Sequence, residues 1–534
     1  MYAISRIRYG EKLNVEYAWG DNYKENILYF FFQMVRSNEL VDLEDKLHYL
    51  LQNINSSSQE FIFLYKMIAH TRDIKNGKGE YKLAYMQLLV WYEYYPELAK
   101  FALTQFVQGE KYGSWKDIKY FSEYIYHKTG DQNHNFIQYA CHLLIIQLNN
   151  DKERFLKGKT ISLAAKWTPR EKSRFRWLYR RIALGVFPKF SLTATTYHSK
   201  IKSICKAKIH LRKLLTKMNK YLQTTETFMC TKSWRNIPFK QISAKTLYKY
   251  NHAFQNKTTD NKIRSTDSDR FIAMGNFQYF LDNPPQIIKG ARNINVGELV
   301  KAAFHAKTST DITVINQLWE SNKKKNKPLK NIISLVDVSS SMEQKNCEPL
   351  YNAIGLGIRV SEKCKDAFKN RMLIYSSNPS WLQFGEAQTF VEKVVMIRDS
   401  LRGLSSNLYG AISMLVEAIN KTKSDFRDIN RLTLAIFSDM QIDSAGNLYE
   451  TITQMFKKAG YTSPKILLWN VRKTQSVPVL NRSKIFLLSG YNESLLNVLT
   501  YSGLKNCEHN DAYIILHKLL NRNRYKILEN KIKA

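Results

Sequence analysis

The 534-residue chain has little of what marks several common protein classes. Its six cysteines (Cys141, Cys205, Cys230, Cys347, Cys364, Cys507) form no C-x-x-C pair. That excludes a zinc ribbon and a disulfide framework, and it predicts reduced thiols. The 11 histidines show no H-E-x-x-H spacing, so a zinc hydrolase has no support. Glycine (21) and proline (11) are too scarce for collagen-like or low-complexity chains. The longest apolar runs, Ile27–Val35 and Leu432–Phe437, are too short to span a bilayer. The segment MYAISRIRYGEKLNVEYAWG lacks the apolar core of a secretory signal. A G-x-x-x-x-G-K-[ST] phosphate loop is also missing, and Asn76-Gly77-Lys78-Gly79 reads as a tight interhelical turn with glycine at φ > 0. A soluble, intracellular, cytoplasmic protein is expected, with the nucleus or a virion as alternatives.

Acidic residues are the other shortage. Lys and Arg number 81 against 46 Asp and Glu, a formal charge of +35. Such an imbalance predicts a polyanionic partner. With 44% hydrophobic and 13% aromatic residues, packed cores are affordable and bulk disorder is excluded. The charge is concentrated: residues 151–250 hold 25 Lys or Arg and 4 acids, an excess of 21. Trp167, Phe175, Trp177, Tyr179 and Trp234 are interleaved with these cations. Cations beside aromatics suit phosphates and stacked bases, although each ring taken singly is expected in the core. Candidate RNA contacts are Lys166, Arg170, Arg174, Arg176, Arg180, Arg181, Lys206, Lys208, Arg212 and Lys213. Thr168-Pro169-Arg170-Glu171 has the form of a capping box, which predicts a helix over PREKSRFRWLYRRIAL.

The pattern changes at ESNKKKNKPLK (320–330). Before it, segments such as Glu25–Arg36, Phe61–Ala69, Leu83–Tyr94 and Phe136–Leu148 carry helical periodicity. Three divisions are therefore expected: an all-α array over 1–320, a solvated basic linker over 321–330, and an α/β domain over 331–534. In the last, apolar runs at Ile332–Val336, Met372–Tyr375, Leu432–Phe437, Lys465–Trp469 and Lys484–Leu488 alternate with helical segments. Alternation of this kind predicts a mainly parallel sheet flanked by helices. Ala512–Lys533 reads as a basic amphipathic helix that packs on this domain.

Ligands of such sheets sit at the carboxyl ends of strands, where Asp337 and Asp439 fall. The stretch LVDVSSSM gives D-x-S-x-S, with Ser339 and Ser341 two and four residues after Asp337. GLSSNLYGAI offers Ser405 or Ser406 as a further hydroxyl. Hard oxygens with few anions suit Mg²⁺, which then keeps a position open for a carboxylate or phosphate. These elements resemble the metal-ion-dependent adhesion site of von Willebrand factor A domains. By that resemblance Asp337, Ser339, Ser341, Ser406 and Asp439 are the metal residues, and the ion is Mg²⁺, with Mn²⁺ or Ca²⁺ as alternatives. Ser406 stands where the family usually has Thr, keeping the hydroxyl but losing the methyl that stiffens χ1.

TRDIKNGKGEY (71–81), YGSWKD (112–117), AAKWTPREKS (164–173), FMCTKSWRNI (228–237) and NINVGELV (293–300) resemble the helical half of TROVE-like proteins. They are more closely similar to an uncharacterised domain-of-unknown-function family of plants, fungi and large DNA viruses. In that family such a half is fused to a von Willebrand A domain; SDMQID, LLWNVR and LLSGYNESLL fit its second half. The resemblance implies a HEAT-like helical array followed by a Rossmann-like domain. It also implies a non-enzymatic, Ro-like scaffold that binds structured or misfolded small RNA. The metal would hold an acidic residue of a protein partner, with no membrane and no small-molecule substrate involved. The alternatives are a protein-interaction or virion-structural component and, more remotely, a metal nuclease using Asp337 and Asp439.

Overall fold

The computed structural model describes residues 7–9, 15–20, 22–192, 194–258, 260–401, 405–422, 431–441, 448–479, 484–500 and 512–533. The chain divides into two compact units, and they do not follow one another in sequence. One joins Met1–Leu83, Ser243–Asn251 and Asn283–Lys533; the other comprises Ala84–Ile242 and His252–Asp282.

In the first unit, β1 (Ile7–Tyr9) and β2 (Val15–Tyr17) form a short antiparallel pair. The apolar runs of the C-terminal half form a six-stranded sheet: β3 (Ile332–Asp337), β4 (Arg371–Tyr375), β5 (Ser380–Gln383), β6 (Thr433–Ser438), β7 (Lys465–Asn470) and β8 (Ile485–Ser489). Its order is β5-β4-β3-β6-β7-β8, parallel throughout except for the antiparallel edge strand β5. Every residue of β3, β6 and the edge strand β8 is buried, as apolar runs require of strands covered on both faces. A helix-rich chain with this mixed C-terminal sheet is an α + α/β arrangement.

Helices from the start of the chain belong to this sheet unit. Tyr23–Gln33 buries eight of its eleven residues, and Gln59–Arg72 buries twelve of fourteen, leaving neither a wet face. The turn after the second helix supplies the tie. Lys78 Nζ, fully buried, donates to the carbonyls of Phe31 (2.5 Å) and Met34 (2.8 Å) and to Ser489 Oγ (2.6 Å) at the end of β8. It therefore caps the Tyr23–Gln33 helix and fastens it to the sheet. The expected positive φ is found at Gly79 (+75°). Gly77 is needed for a different reason: a Cβ there would lie 1.9 Å from the His70 carbonyl oxygen.

The C-terminal segment packs as expected but is not one helix. It breaks into Ala512–Leu520 and Lys526–Lys533 around a short 3₁₀ turn at Asn523–Tyr525. The break aims Arg524 and the Tyr525 hydroxyl at Asp73, while Lys66 pairs with Glu529 at 2.5 Å.

Residues 321–330 are not a solvated linker. The Ser309–Lys323 helix runs into them, and Lys325 forms an ion pair with Glu493 at 2.7 Å. Both side chains are almost wholly buried, at 9% and 1% exposure. Asn326 donates to the Glu493 carbonyl at 2.7 Å, so this stretch is anchored within the sheet unit.

The second unit is helical among its described residues, including Pro96–Val107, Lys116–Thr129, Asn135–Leu156, Arg176–Val186, Tyr197–Tyr221 and Ser268–Asp282. Phe136 organises part of its core, stacked on Tyr92 at 4.4 Å and edge-on to Phe121 at 4.8 Å. Among the described residues no helix is long and apolar enough to cross a membrane.

Candidate functional site

Parallel pairing of β3 with β6 brings their carboxyl ends together, with Val336 opposite Phe437. Asp337, Ser339 and Asp439 are fully buried there. Asp337 Oδ1 accepts from the Ser339 backbone amide (3.0 Å), and Oδ2 accepts from Ser438 Oγ (2.8 Å). Ser339 Oγ and Ser341 Oγ lie 3.1 Å apart. Ser406 Oγ donates to the Gln441 carbonyl at 3.4 Å, and its loop is tied to the end of β4 by Asn407 N and Ser376 O at 2.9 Å. Of the two serines open at the sequence level, Ser406 is buried, whereas Ser405 is exposed against Ser377. Asp439 Oδ1 accepts from Gln441 N (3.1 Å), and its Oδ2 faces the Arg472 guanidinium (3.1 Å). Between them Met440 takes a positive φ of +67°, which folds the chain back over the strand end.

The electrostatics are those of two carboxylates with little water. Burial, then the nearby Asp439 charge, pushes the Asp337 carboxyl up to about 7. Tyr375, buried at the end of β4, has its hydroxyl pushed well above its ordinary range by burial and by the charge of Asp337. The Tyr375 hydroxyl and Gln441 Oε1 are buried without a hydrogen bond of normal geometry. Two carboxylates, three hydroxyls and two orphaned polar atoms make an all-oxygen donor set, the kind that suits a hard divalent cation. Among the described residues no group of three or more His, Cys, Asp or Glu gathers to hold a metal. Ser438, Tyr375 and Arg472 join this place without having been singled out for it in the sequence. Ser438 had a signal, since it immediately precedes Asp439 in FSDM.

The basic residues divide into two sets. Thr168 does not start a helix: its hydroxyl bonds backward to the Ala164 carbonyl (2.8 Å) and closes the short helix Ala164–Trp167. Helix resumes only at Arg176, so Arg170 and Arg174 lie on the intervening turns while Arg176, Arg180 and Arg181 lie on Arg176–Val186. Lys166 pairs with Glu226 (3.1 Å), Arg174 with Glu123 (2.9 Å), and Lys208 and Arg212 both with Glu171 (3.4 Å). Arg181 donates to Asn133 Oδ1 at 2.7 Å. Arg170, Arg176, Arg180, Lys206 and Lys213 are exposed, and no ion pair engages them among the described residues.

The Tyr197–Tyr221 helix carries eight Lys or Arg and no acid. Ser203, Ala207, Leu211, Leu215 and Met218 form its buried stripe. Lys202, Lys206, Lys213, Lys217 and Lys220 are exposed away from that stripe. Of the aromatics in the basic stretch, Phe175, Tyr179 and Trp234 are core, whereas Trp167 and Trp177 are half-buried.

Comparison with known sequences adds families without assigned roles. Residues 331–526 match a domain of unknown function, DUF7788, and residues 129–264 match another, DUF2828. The chain is also 27% identical over 518 residues to the uncharacterized protein L728 of Acanthamoeba polyphaga mimivirus, covering 92% of this chain and 84% of that one. It is therefore similar to uncharacterised proteins that include one from a large DNA virus, along nearly its whole described length.

Proposed function

We propose that the chain is a non-enzymatic RNA-binding scaffold with a TROVE-like, HEAT-like basic region and a von Willebrand A-like module. One observation carries the reading: the 25-residue helix Tyr197–Tyr221 presents lysines with no acid of its own to neutralise them. Like charges at helical spacing repel, so such a face is stabilised when a polyanion replaces its condensed counterions. At about 1.5 Å per residue the helix is roughly 37 Å long, enough to follow several phosphates of a structured RNA. The exposed pairs to Glu171 and Glu123 are each worth at most about 1 kcal/mol, so Arg174, Lys208 and Arg212 can exchange acid for phosphate.

In this reading Asp337, Ser339, Ser341, Ser406 and Asp439 hold Mg²⁺, or Mn²⁺ or Ca²⁺ in its place. The ion would supply an electrophilic position for a carboxylate of a protein partner. Asp337 and Asp439 provide the charge, and Ser438 and the Ser339 amide hold Asp337 in place. Arg472 already engages Asp439, and the other donors are hydroxyls. That composition supports ligand docking over a two-metal nuclease, which requires metals about 4 Å apart held by shared anions.

Filter binding of a structured RNA at rising salt tests the proposal. Tight binding at low salt that weakens steeply with salt supports it; no binding at low salt overturns it. A protein-interaction or virion-structural role is the alternative. Stoichiometric recovery with other proteins, free of nucleic acid, would select it.

A further inference from the structure

We propose that Lys116, Lys119 and Arg174, gathered on the rings of Tyr120, Trp167 and Phe175, form with the neighbouring Arg170 a site for the terminal phosphomonoester of a nucleic-acid strand. The site deepens the RNA-binding reading and rests on it for the identity of the strand. It is not visible in sequence order, because it joins the start of the Lys116–Thr129 helix to the turns after Trp167.

The convergence is geometric. Lys119 Nζ lies 5.2 Å from the Trp167 ring centre, 5.6 Å from that of Tyr120 and 5.6 Å from that of Phe175. Lys116 Nζ lies 5.0 Å from Tyr120 and 5.6 Å from Trp167. The Arg174 guanidinium carbon is 5.7 Å from Tyr120 and 4.8 Å from Phe175. Three cations thus share three aromatic rings, Arg170 adds its charge beside Lys119, and Glu123 pairs with Arg174 at 2.9 Å. Lys119 and Arg170 make no ion pair among the described residues. Burial, then Lys116, Arg170 and Arg174, lowers Lys119 to about 8. Lys119 and Arg170 therefore leave positive charge without a counter-acid in a half-buried place, where an anion gains most.

Charge selects the class of ligand. An internal phosphodiester brings one negative charge, whereas a terminal monoester brings about −1.5 to −2 and three acceptor oxygens. The monoester matches this excess better. Arg170 and Arg174 can fork onto its oxygens while Lys116 and Lys119 act as point charges. The half-buried Trp167 then offers its ring to the terminal base.

The test uses the full chain and one oligonucleotide with either a phosphate or a hydroxyl at its end. Fluorescence anisotropy should show about tenfold tighter binding of the phosphorylated form, as for a charge-assisted contact. In the Lys116→Gln/Lys119→Gln variant that preference should vanish, while affinity for the hydroxyl-ended strand stays within about twofold and the circular dichroism melt is no lower than that of the wild type. Lys119→Arg should keep the preference. Equal affinity for both ends in the wild type overturns the site, as does a preference that survives the double variant. Calorimetry with a nucleoside monophosphate and with inorganic phosphate separates this idea from the RNA reading. If neither oligonucleotide binds but the monophosphate does, and the double variant abolishes that binding, the site stands and the RNA reading fails. Saturation by inorganic phosphate as tightly as by the monophosphate removes the nucleic-acid end and overturns the proposal.

Discussion

The guanidinium of Arg472 lies 3.1 Å from Asp439 Oδ2, so the second carboxylate of the candidate metal centre is already neutralised by the chain itself. A divalent ion must enter against this fixed positive charge. Arg472→Gln should therefore tighten Mg²⁺ binding by about tenfold or more, given the Coulomb energy of nearby charges in a partly dry site. Asp337→Ala should abolish it. Isothermal titration of the full chain decides the matter, and weaker binding in Arg472→Gln contradicts the assignment.

Lys78 supports an element far away in sequence. Replacing it by Met strands the Met34 carbonyl in a buried place and leaves the Phe31 carbonyl to the Ser489 hydroxyl. A loss of about 1–3 kcal/mol is expected in urea unfolding, the cost of an unsatisfied buried acceptor. Ser489→Ala, which removes only one of the three acceptors, should cost about 1 kcal/mol.

The two glycines of the same turn should respond unequally. Gly77→Ala forces a methyl into the His70 carbonyl and should cost about 3 kcal/mol or more. Gly79→Ala meets only ordinary contacts, Ile74 Cα at 3.8 Å and Asn492 Nδ2 at 4.0 Å, and bears the left-handed backbone penalty of about 1 kcal/mol. Equal melting temperatures for the two variants would refute this division.

Lysines on the Tyr197–Tyr221 helix should act additively on RNA affinity. Lys202→Gln, Lys206→Gln and Lys213→Gln, introduced in turn, should each lower the slope of log K against log salt by about 0.7–0.9 if each contacts a phosphate. An unchanged slope in the triple variant would remove this face from the interface.

Lys119 gives a pH signature. Lys116, Tyr120 and Glu123 face it from its own helix, and Trp167, Arg170, Arg174 and Phe175 face it from the packed turns. Its folded value of about 8 lies below the unfolded one near 10.5. Between those values the unfolded chain holds the extra proton, so stability attributable to Lys119 rises with pH. Lys119→Gln should melt at or above the wild type at pH 7, and the gap should close by pH 10. A constant gap argues against a desolvated ammonium there.

How far sequence anticipated this structure depended on whether the signal was local. Strands β3, β6, β7 and β8 were legible because parallel strands covered on both faces are continuous apolar runs. The SWLQ edge strand was not, since only one of its four residues is buried and its pairing is set by β4. Asp337, Ser339 and Ser341 lie on one loop and read as a unit. Arg472 reaches Asp439 only through the register that sets Ser438 beside Asn470, which no spacing rule reveals. Thr168 misled for another reason: a hydroxyl before Pro and Glu is an N-cap signal, yet the same hydroxyl can turn back to the preceding helix. The Lys323-Lys324-Lys325 run was misread similarly, because burial of Lys325 depends on Glu493, a residue far along the chain.

Because the helix Tyr23–Gln33 is completed by Ser489 and its strand, its mates leave the ribosome more than four hundred residues later. At 5–20 residues per second that delay is roughly half a minute to a minute and a half. Throughout it, a nascent segment rich in Phe, Leu and Tyr has no sheet to rest on, while the unit of Ala84–Ile242 and His252–Asp282 can already condense. Biogenesis of this polypeptide is thus ordered inside out: the middle can mature first, and the two extremities close around their shared sheet last.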